Sequence, residues 1–421
     1  MSAPRRPGPT RSRNHPAVRA WSGALVAPDA VGADTIAGSG ARTATRRGSA
    51  RSALLSPPTR NGTFVVLVGA AAALSLVGLV MVLSASGVEG LDEEGSSWAF
   101  FRKQLLWTGL GALVAYGGSR LDYRVLRRCA TPFLLISLAL LVLVLVPGVG
   151  MNVNGASRWL GYGSLSIQPS EFAKLAVLLW AADLLARRAD LMARSAVTVR
   201  PVMFVLAVTA GLIMLQPNLG TTIVLASIAF VVLFVAGAPV APLAGYGAVG
   251  AAGGLFLALY EPYRRARVTA FLDPWADAAN TGYQTIQGQI GLATGGVAGL
   301  GLGESRAKWG FLPYAHTDFI FAIIGEELGL VGALVVVALF LTFAVAGIHT
   351  ALEAPDRFGT LVAAGITSWI LVQAFVNIGA VVGQLPVTGV PLPFVSYGGS
   401  SLLVTMMAVG VLLNIARQIR R

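Results

Sequence analysis

Between Arg200 and Glu261 the chain runs for sixty residues without one charged side chain. A helix crosses the hydrocarbon core of a bilayer in about 20 apolar residues. The stretch therefore holds three crossings, broken where turn-forming residues cluster, at Gln216-Pro217-Asn218 and Gly237-Ala238-Pro239. The same reading places a first span at Phe64–Leu83 and others near 103–118, 131–147 and 169–186. A long apolar run near 317–348 follows. The uncharged stretch between Arg357 and Arg417 supplies two more spans, separated by the Pro-rich segment 384–396. The fold class expected is an all-α polytopic membrane protein of about ten transmembrane helices, with a large extracytoplasmic loop, 261–316, before the eighth. Composition agrees, since 12% of residues are charged against about 25% in soluble proteins. An ordinary soluble enzyme is excluded.

The formal net charge of +12 is concentrated at one end. Residues 1–60 carry ten arginines against Asp29 and Asp34, with seven prolines and no helical or strand periodicity. They read as a disordered basic cytoplasmic arm, suited to anionic lipid or a docking partner rather than nucleic acid. Residues 61–421 form the transmembrane domain. Arginine favours cytoplasmic loops, and Arg120, Arg124, Arg127, Arg128, Arg187, Arg188, Arg194, Arg200 and Arg357 all fall in alternate turns. The first opposite turn is acidic, with Glu89, Asp92, Glu93 and Glu94. Both termini are therefore expected in the cytoplasm, and the long loops 148–168 and 261–316 outside. Cys129 alone cannot form an internal disulfide, and three dispersed histidines, His15, His316 and His349, do not suggest zinc.

Ionisable groups at membrane depth are costly and so are functional candidates. Glu171, Asp318, Glu326 and Glu327 are the carboxylates in that position. Asp318, at the outer mouth of span eight, reads first as a helix N-cap (shared with Thr317) and second as a partly desolvated base. Glu326 and Glu327 read as a buried hydrogen-bonded pair or a proton relay. Glu171 and Lys174, spaced i, i+3, read as an intramembrane ion pair or a headgroup contact. Arg158, Arg264, Arg265, Arg267, Arg306 and Lys308 lie on the outer face, where they either snorkel to lipid phosphates or form an anion site. The Gly295–Gly303 stretch fits no nucleotide-binding fingerprint. The Ser396–Ser401 stretch either packs closely against a neighbouring helix or lines an outer cavity.

Five blocks together resemble the SEDS family (shape, elongation, division and sporulation). They are Asn154-Gly155-Ala156-Ser157-Arg158-Trp159; Gln168-Pro169-Ser170-Glu171-Phe172-Ala173-Lys174; Gln216-Pro217-Asn218-Leu219-Gly220; His316-Thr317-Asp318-Phe319 running into Gly325-Glu326-Glu327-Leu328-Gly329; and Pro391–Ser401. The Lys308–Pro313 lead-in resembles the division branch, typified by FtsW, more than the elongation branch, typified by RodA; Pro391-Leu392-Pro393 leans the other way. Gly310 stands where division members often carry an acid, so no auxiliary carboxylate is expected there.

The resemblance implies a glycosyltransferase that polymerises lipid II on the outer face of the bacterial cytoplasmic membrane, during septal division. It places the family's catalytic aspartate on Asp318. The substrate-binding set it suggests is Arg158, Glu171, Lys174, Arg264, Arg267, Lys308, His316 and Ser396. Expected partners are lipid II, the nascent glycan strand, a class B penicillin-binding protein transpeptidase and other division membrane proteins. A divalent cation such as Mg2+ is compatible with the phosphates, although no carboxylate cluster demands one. The alternatives are a transporter of lipid-linked precursor and a non-catalytic scaffold.

Overall fold

The computed structural model describes residues 62–419 apart from 154, 155, 163, 164 and 261. The basic arm 1–60 and the terminal Arg420 and Arg421 lie outside the described residues, as does the side chain of Arg264.

Twelve α-helices are found among the described residues. They are α1 (Gly62–Glu94), α2 (Ala99–Arg120), α3 (Tyr123–Leu143), α4 (Pro169–Arg187), α5 (Val199–Met214) and α6 (Leu219–Val235). Next come α7 (Val240–Tyr260), α8 (Pro262–Leu272), α9 (Tyr283–Gly295), α10 (Ile320–Leu352), α11 (Arg357–Val381) and α12 (Gly399–Gln418). Six of them, α1, α3, α7, α10, α11 and α12, are long and apolar enough to cross a membrane, and α5 and α6 are shorter apolar helices. The chain is a multi-pass membrane protein. The loop 261–316 is not irregular, because α8 and α9 lie within it.

Local sequence explains the boundaries. Asn218 caps α6 by accepting from the Thr221 N–H at 3.2 Å. Asp356 caps α11 by accepting from Gly359 N–H at 2.8 Å. Pro169 opens α4, where its missing N–H costs nothing. Helices α2 and α12 cross at small residues: Gly118 faces Gly410, and a side chain at Gly410 would collide with the Ala115 backbone. Close approach through glycine is how helices gain contact in a bilayer, where apolar burial drives little.

The expected all-α class has one exception. β1 (Met151–Val153), β2 (Ala156–Tyr162) and β3 (Leu165–Ile167) form an antiparallel meander, with Asn152 opposite Ser157 and Leu160 opposite Ile167. Open sheet edges are excluded from hydrocarbon but not from water, so the sheet belongs to a segment beyond the helix ends.

Two helices are unusual. Helix α10 is interrupted at Gly329, whose φ of 69° and ψ of −166° are almost confined to glycine. The 296–301 segment fills the break: Leu330 N–H donates to Gly296 O at 2.9 Å and Val331 N–H to Val297 O at 3.2 Å, while Leu300 and Gly301 N–H donate to Glu326 and Glu327 O at 3.0 Å. Helix α7 stands apart from the bundle, its residues almost all exposed. Between it and α5 and α6 lies an apolar groove of about 1170 Å³.

Candidate active site

Asp318 sits immediately before α10. It does not cap the helix, because Phe319 occupies the N-cap position and no side chain bonds there. Thr317 Oγ1 instead donates to Tyr314 O at 3.2 Å. The Asp318 segment is pinned from outside. Three consecutive carbonyls each accept a bond from a different donor: His316 O from Tyr397 N–H at 3.0 Å, Thr317 O from Ser396 Oγ at 2.6 Å, and Asp318 O from Asn377 Nδ2 at 2.8 Å. Such bonds fix the direction in which the Asp318 side chain leaves the backbone.

The carboxyl is in a poorly hydrated place. Burial raises its pKa above the ordinary carboxylate value, and the charges of Arg267, His316 and Arg158 pull it back down. Gly389, at φ 71°, faces its Oδ2 so closely that a side chain there would come into contact with it. A partly desolvated carboxylate with cations nearby can accept a proton and hold an anion beside it.

The cations are fixed by backbone carbonyls. Arg267 Nη1 donates to Val387 O at 3.1 Å and lines a cleft of about 220 Å³ with Phe271, Gln284, Tyr314 and Val387. Arg158, on β2, donates through Nε to Gln216 O and through Nη2 to Pro217 O, each at 2.8 Å. It ties the small sheet to the α5–α6 turn. The His316 ring packs 4.8 Å from Phe100 and 5.4 Å from Tyr397, and its Nδ1 lies 2.8 Å from Glu89 Oε2. Arg267, His316 and Arg158 all act electrostatically on the Asp318 carboxyl.

Four other expected contacts are placed differently. Ser396 is buried, and its hydroxyl is spent on the backbone, donating to Thr317 O and accepting from Leu392 N–H at 2.8 Å. Glu171 and Lys174 form an ion pair, at 2.9 Å, buried inside the bundle rather than presented to a headgroup. Lys174 Nζ also donates to Gln373 Oε1 at 3.0 Å and lies 4.7 Å from the Trp369 ring. Lys308 turns inward, donating to Gly303 O and lying 3.6 Å from Glu327 Oε1. Glu326 and Glu327 hold the folded-back loop. Glu326 accepts from Ser305 Oγ, Arg306 N–H and Ala307 N–H, and Glu327 from Ser84 Oγ and Ser305 N–H. Among the described residues, no three His, Cys, Asp or Glu side chains converge on a point that could hold a metal.

Sequence reasoning passed over Asn377 and Gln373, and read Glu89 only as part of an acidic turn. The signal for the first two was present: neutral amides spaced i, i+4 in a stretch without charge.

The Cell cycle protein family that covers FtsW, RodA and SpoVE matches residues 65–421. The chain belongs to this family. Stage V sporulation protein E of Bacillus subtilis is 44% identical over 82% of this chain and 95% of its own length. The probable peptidoglycan glycosyltransferase FtsW of Mycobacterium tuberculosis is 42% identical over 92% of this chain and 75% of its own. Among solved structures, a chain from work on structural coordination of polymerization and crosslinking by a peptidoglycan synthase complex is 34% identical. It superposes with a TM-score of 0.69 over 83% of this chain and 96% of that one.

Proposed function

We propose that this chain is a peptidoglycan glycosyltransferase that polymerises lipid II at the outer face of the bacterial cytoplasmic membrane, in septal division. In this orientation both termini and the arginine-rich turns are cytoplasmic, and Asp318 faces outward. The observation that carries the reading is the Asp318 carboxyl, whose pKa burial raises and the charges of Arg267, His316 and Arg158 lower. Relatives about 40% identical bear the name of that enzyme.

An alcohol is a weak nucleophile at neutral pH, so a base must take its proton as it attacks. Asp318 accepts the proton of a sugar 4-hydroxyl while that oxygen bonds to the anomeric carbon of the growing glycan. The anomeric bond to the lipid pyrophosphate breaks, its electron pair leaves with the phosphate oxygen, and the configuration inverts. Base catalysis of this kind contributes about 10²–10⁴-fold. Arg267 and Arg158, with Arg264 nearby in sequence, meet the charge that grows on the leaving group. A cation such as Mg2+ would be held chiefly by the substrate's own phosphates. The apolar groove beside α7 has the size and lining for a polyprenyl tail. A class B penicillin-binding protein transpeptidase, which cross-links the product, is the expected partner, together with other division proteins.

A lipid-linked precursor transporter is the second reading, favoured by the break in α10 at Gly329 and by the lipid-sized groove. The deciding experiment supplies fluorescent lipid II to purified protein, with and without its transpeptidase, comparing wild type with Asp318→Asn. Polymer from wild type alone is the expected result. Full polymer from Asp318→Asn refutes the base assignment. No polymer in any condition, with lipid II translocation in liposomes, promotes the transporter.

A further inference from the structure

Helix α11 carries two amides one turn apart, Gln373 and Asn377, and both are buried. At 1.5 Å rise per residue, i and i+4 lie on one face about 6 Å apart. That face meets the loop leading to α12. Gln373 Nε2 donates to Pro391 O at 3.0 Å. Asn377 Nδ2 donates to Val390 O and to Asp318 O, both at 2.8 Å. Both protons of one amide therefore bind the Asp318 segment to the loop whose Gly389 abuts the Asp318 carboxylate.

The orientation of Gln373 is forced. Its Oε1 faces two groups that can only donate, Lys174 Nζ at 3.0 Å and Trp369 Nε1 at 2.8 Å. Its NH2 must then face Pro391. Lys174 is in turn held by Glu171 at 2.9 Å. A continuous chain of bonds runs from the buried ion pair through Gln373 to the Pro-rich loop, and from that loop through Asn377 to Asp318.

The arrangement has a stability cost. Asn377 Oδ1 is buried and has no hydrogen-bond partner, a state that ordinarily costs about 1–3 kcal/mol. Tyr314 and Phe394, which flank the two pinned segments, hold φ at 57° and 66°, a conformation unfavourable for bulky side chains. Here strain and unmet bonding capacity occur together, the mark of a geometry kept for use rather than for stability.

We propose that Gln373 and Asn377 are positioning residues that hold Asp318 in register for proton abstraction, with the Glu171–Lys174 pair setting the orientation of Gln373. The proposal rests on the reading of Asp318 as the base. It gives the buried ion pair a role that requires no contact with substrate.

The test is steady-state polymerisation of fluorescent lipid II by the purified full chain with its transpeptidase, across pH. Misplacing a reacting group by about 1 Å costs on the order of 100-fold. Asn377→Leu should therefore lower kcat by about 10–100-fold, with KM changed less than about threefold. The acid limb of kcat should also move to lower pH, because a loosened segment admits water to a carboxyl whose pKa burial had raised. The basic side chains that act on that carboxyl, Arg267, His316 and Arg158, are untouched by the substitution. A purely structural role would reduce the amount of folded enzyme without moving the limb.

Should Asn377→Leu not fold, Gln373→Met asks the same question one step further from Asp318. It is expected to lower kcat about 3–10-fold with the same direction of limb shift. Wild-type kcat and an unmoved limb in the folded variant overturn the proposal. So does failure of both variants to fold, which would make the amides part of the core. Asp318→Asn is run beside them: if it polymerises, the base reading has failed; if it is inactive while Asn377→Leu is normal, only the positioning role has failed.

Discussion

Removing the hydroxyl of Ser396 distinguishes a brace from a substrate contact. In the structure this hydroxyl lies in the interior, 2.6 Å from Thr317 O and 2.8 Å from Leu392 N. Ser396→Ala strands both groups, the carbonyl next to Asp318 and the N–H of the Pro-rich loop. A buried polar group left without its partner costs about 1–3 kcal/mol, so the substitution should cost roughly 2–6 kcal/mol in all. At about 2.1 cal/mol/K per residue, a domain of roughly 360 residues unfolds with about 0.75 kcal/mol/K, and Tm should fall by about 3–8 °C. Thermal unfolding in detergent measures this directly. With Asp318 as the proposed base, steady-state polymerisation on the same sample should show reduced kcat with KM nearly unchanged, because Asp318 is displaced while the substrate contacts remain. An unaltered Tm together with a raised KM would refute the bracing argument and return Ser396 to the substrate.

Gly329→Ala should destabilise by about 2–5 kcal/mol, combining backbone strain with loosening of the bonds that stitch 296–301 into the α10 break. An unchanged Tm would show that the break tolerates a side chain. Arg267→Ala removes a charge that lowers the Asp318 pKa; the carboxyl must be deprotonated to act, so the acid limb of kcat should move to higher pH. A limb that stays put would separate Arg267 from the base. At the opposite helix ends, burial alone would raise Asp356, but bonds from Tyr123, Gly359 N–H and Arg124 outweigh it and hold its carboxyl below the ordinary value. Its stabilisation is present above the unfolded carboxylate pKa of about 3.9 and lost as pH falls through the folded value. Asp356→Asn should therefore lower Tm at neutral pH, by a margin that shrinks in acid; an equal margin at all pH values would contradict the linkage.

The helices were legible because charge exclusion over twenty residues has one physical solution, and the uncharged 201–260 stretch divides where its turn residues predict. The β1–β3 sheet was not, since 151–167 is short and mixed in character and carries no period strong enough to separate strand from loop. Position marked Asp318 as unusual but favoured a cap; the base reading came from the resemblance of the five blocks. For Glu326 and Glu327, depth was readable from the sequence and partners were not. A loop that folds back to donate three N–H groups and a hydroxyl to Glu326 and Glu327 is a tertiary event. Lys308 was misplaced for the same reason: its sequence position said outer loop, and the fold turned it toward Glu327. Charge drew attention to Glu171 and Lys174, whereas the groups that connect them to Asp318 are neutral amides.

A reactive carboxylate at the end of a membrane helix faces a structural difficulty. Inside α10 its backbone would be held by i→i−4 bonds but buried among apolar neighbours; in a free loop it would be hydrated and mobile. Asp318 lies two residues before the first helical position, where neither regime supplies order. Order comes instead from groups borrowed elsewhere: the Asn377 amide from a rigid helix, and Ser396 and Tyr397 from a loop that Asn377 and Gln373 themselves anchor. Because every donor in that set is uncharged, the segment is fixed without adding a counter-charge against the Asp318 backbone. Arg267 and Arg158 are held separately, on the Val387, Gln216 and Pro217 carbonyls. On the proposed reading of Asp318 as the base, separating the groups that hold it from the groups that meet the leaving anion lets the carboxyl keep a raised pKa beside a cationic site.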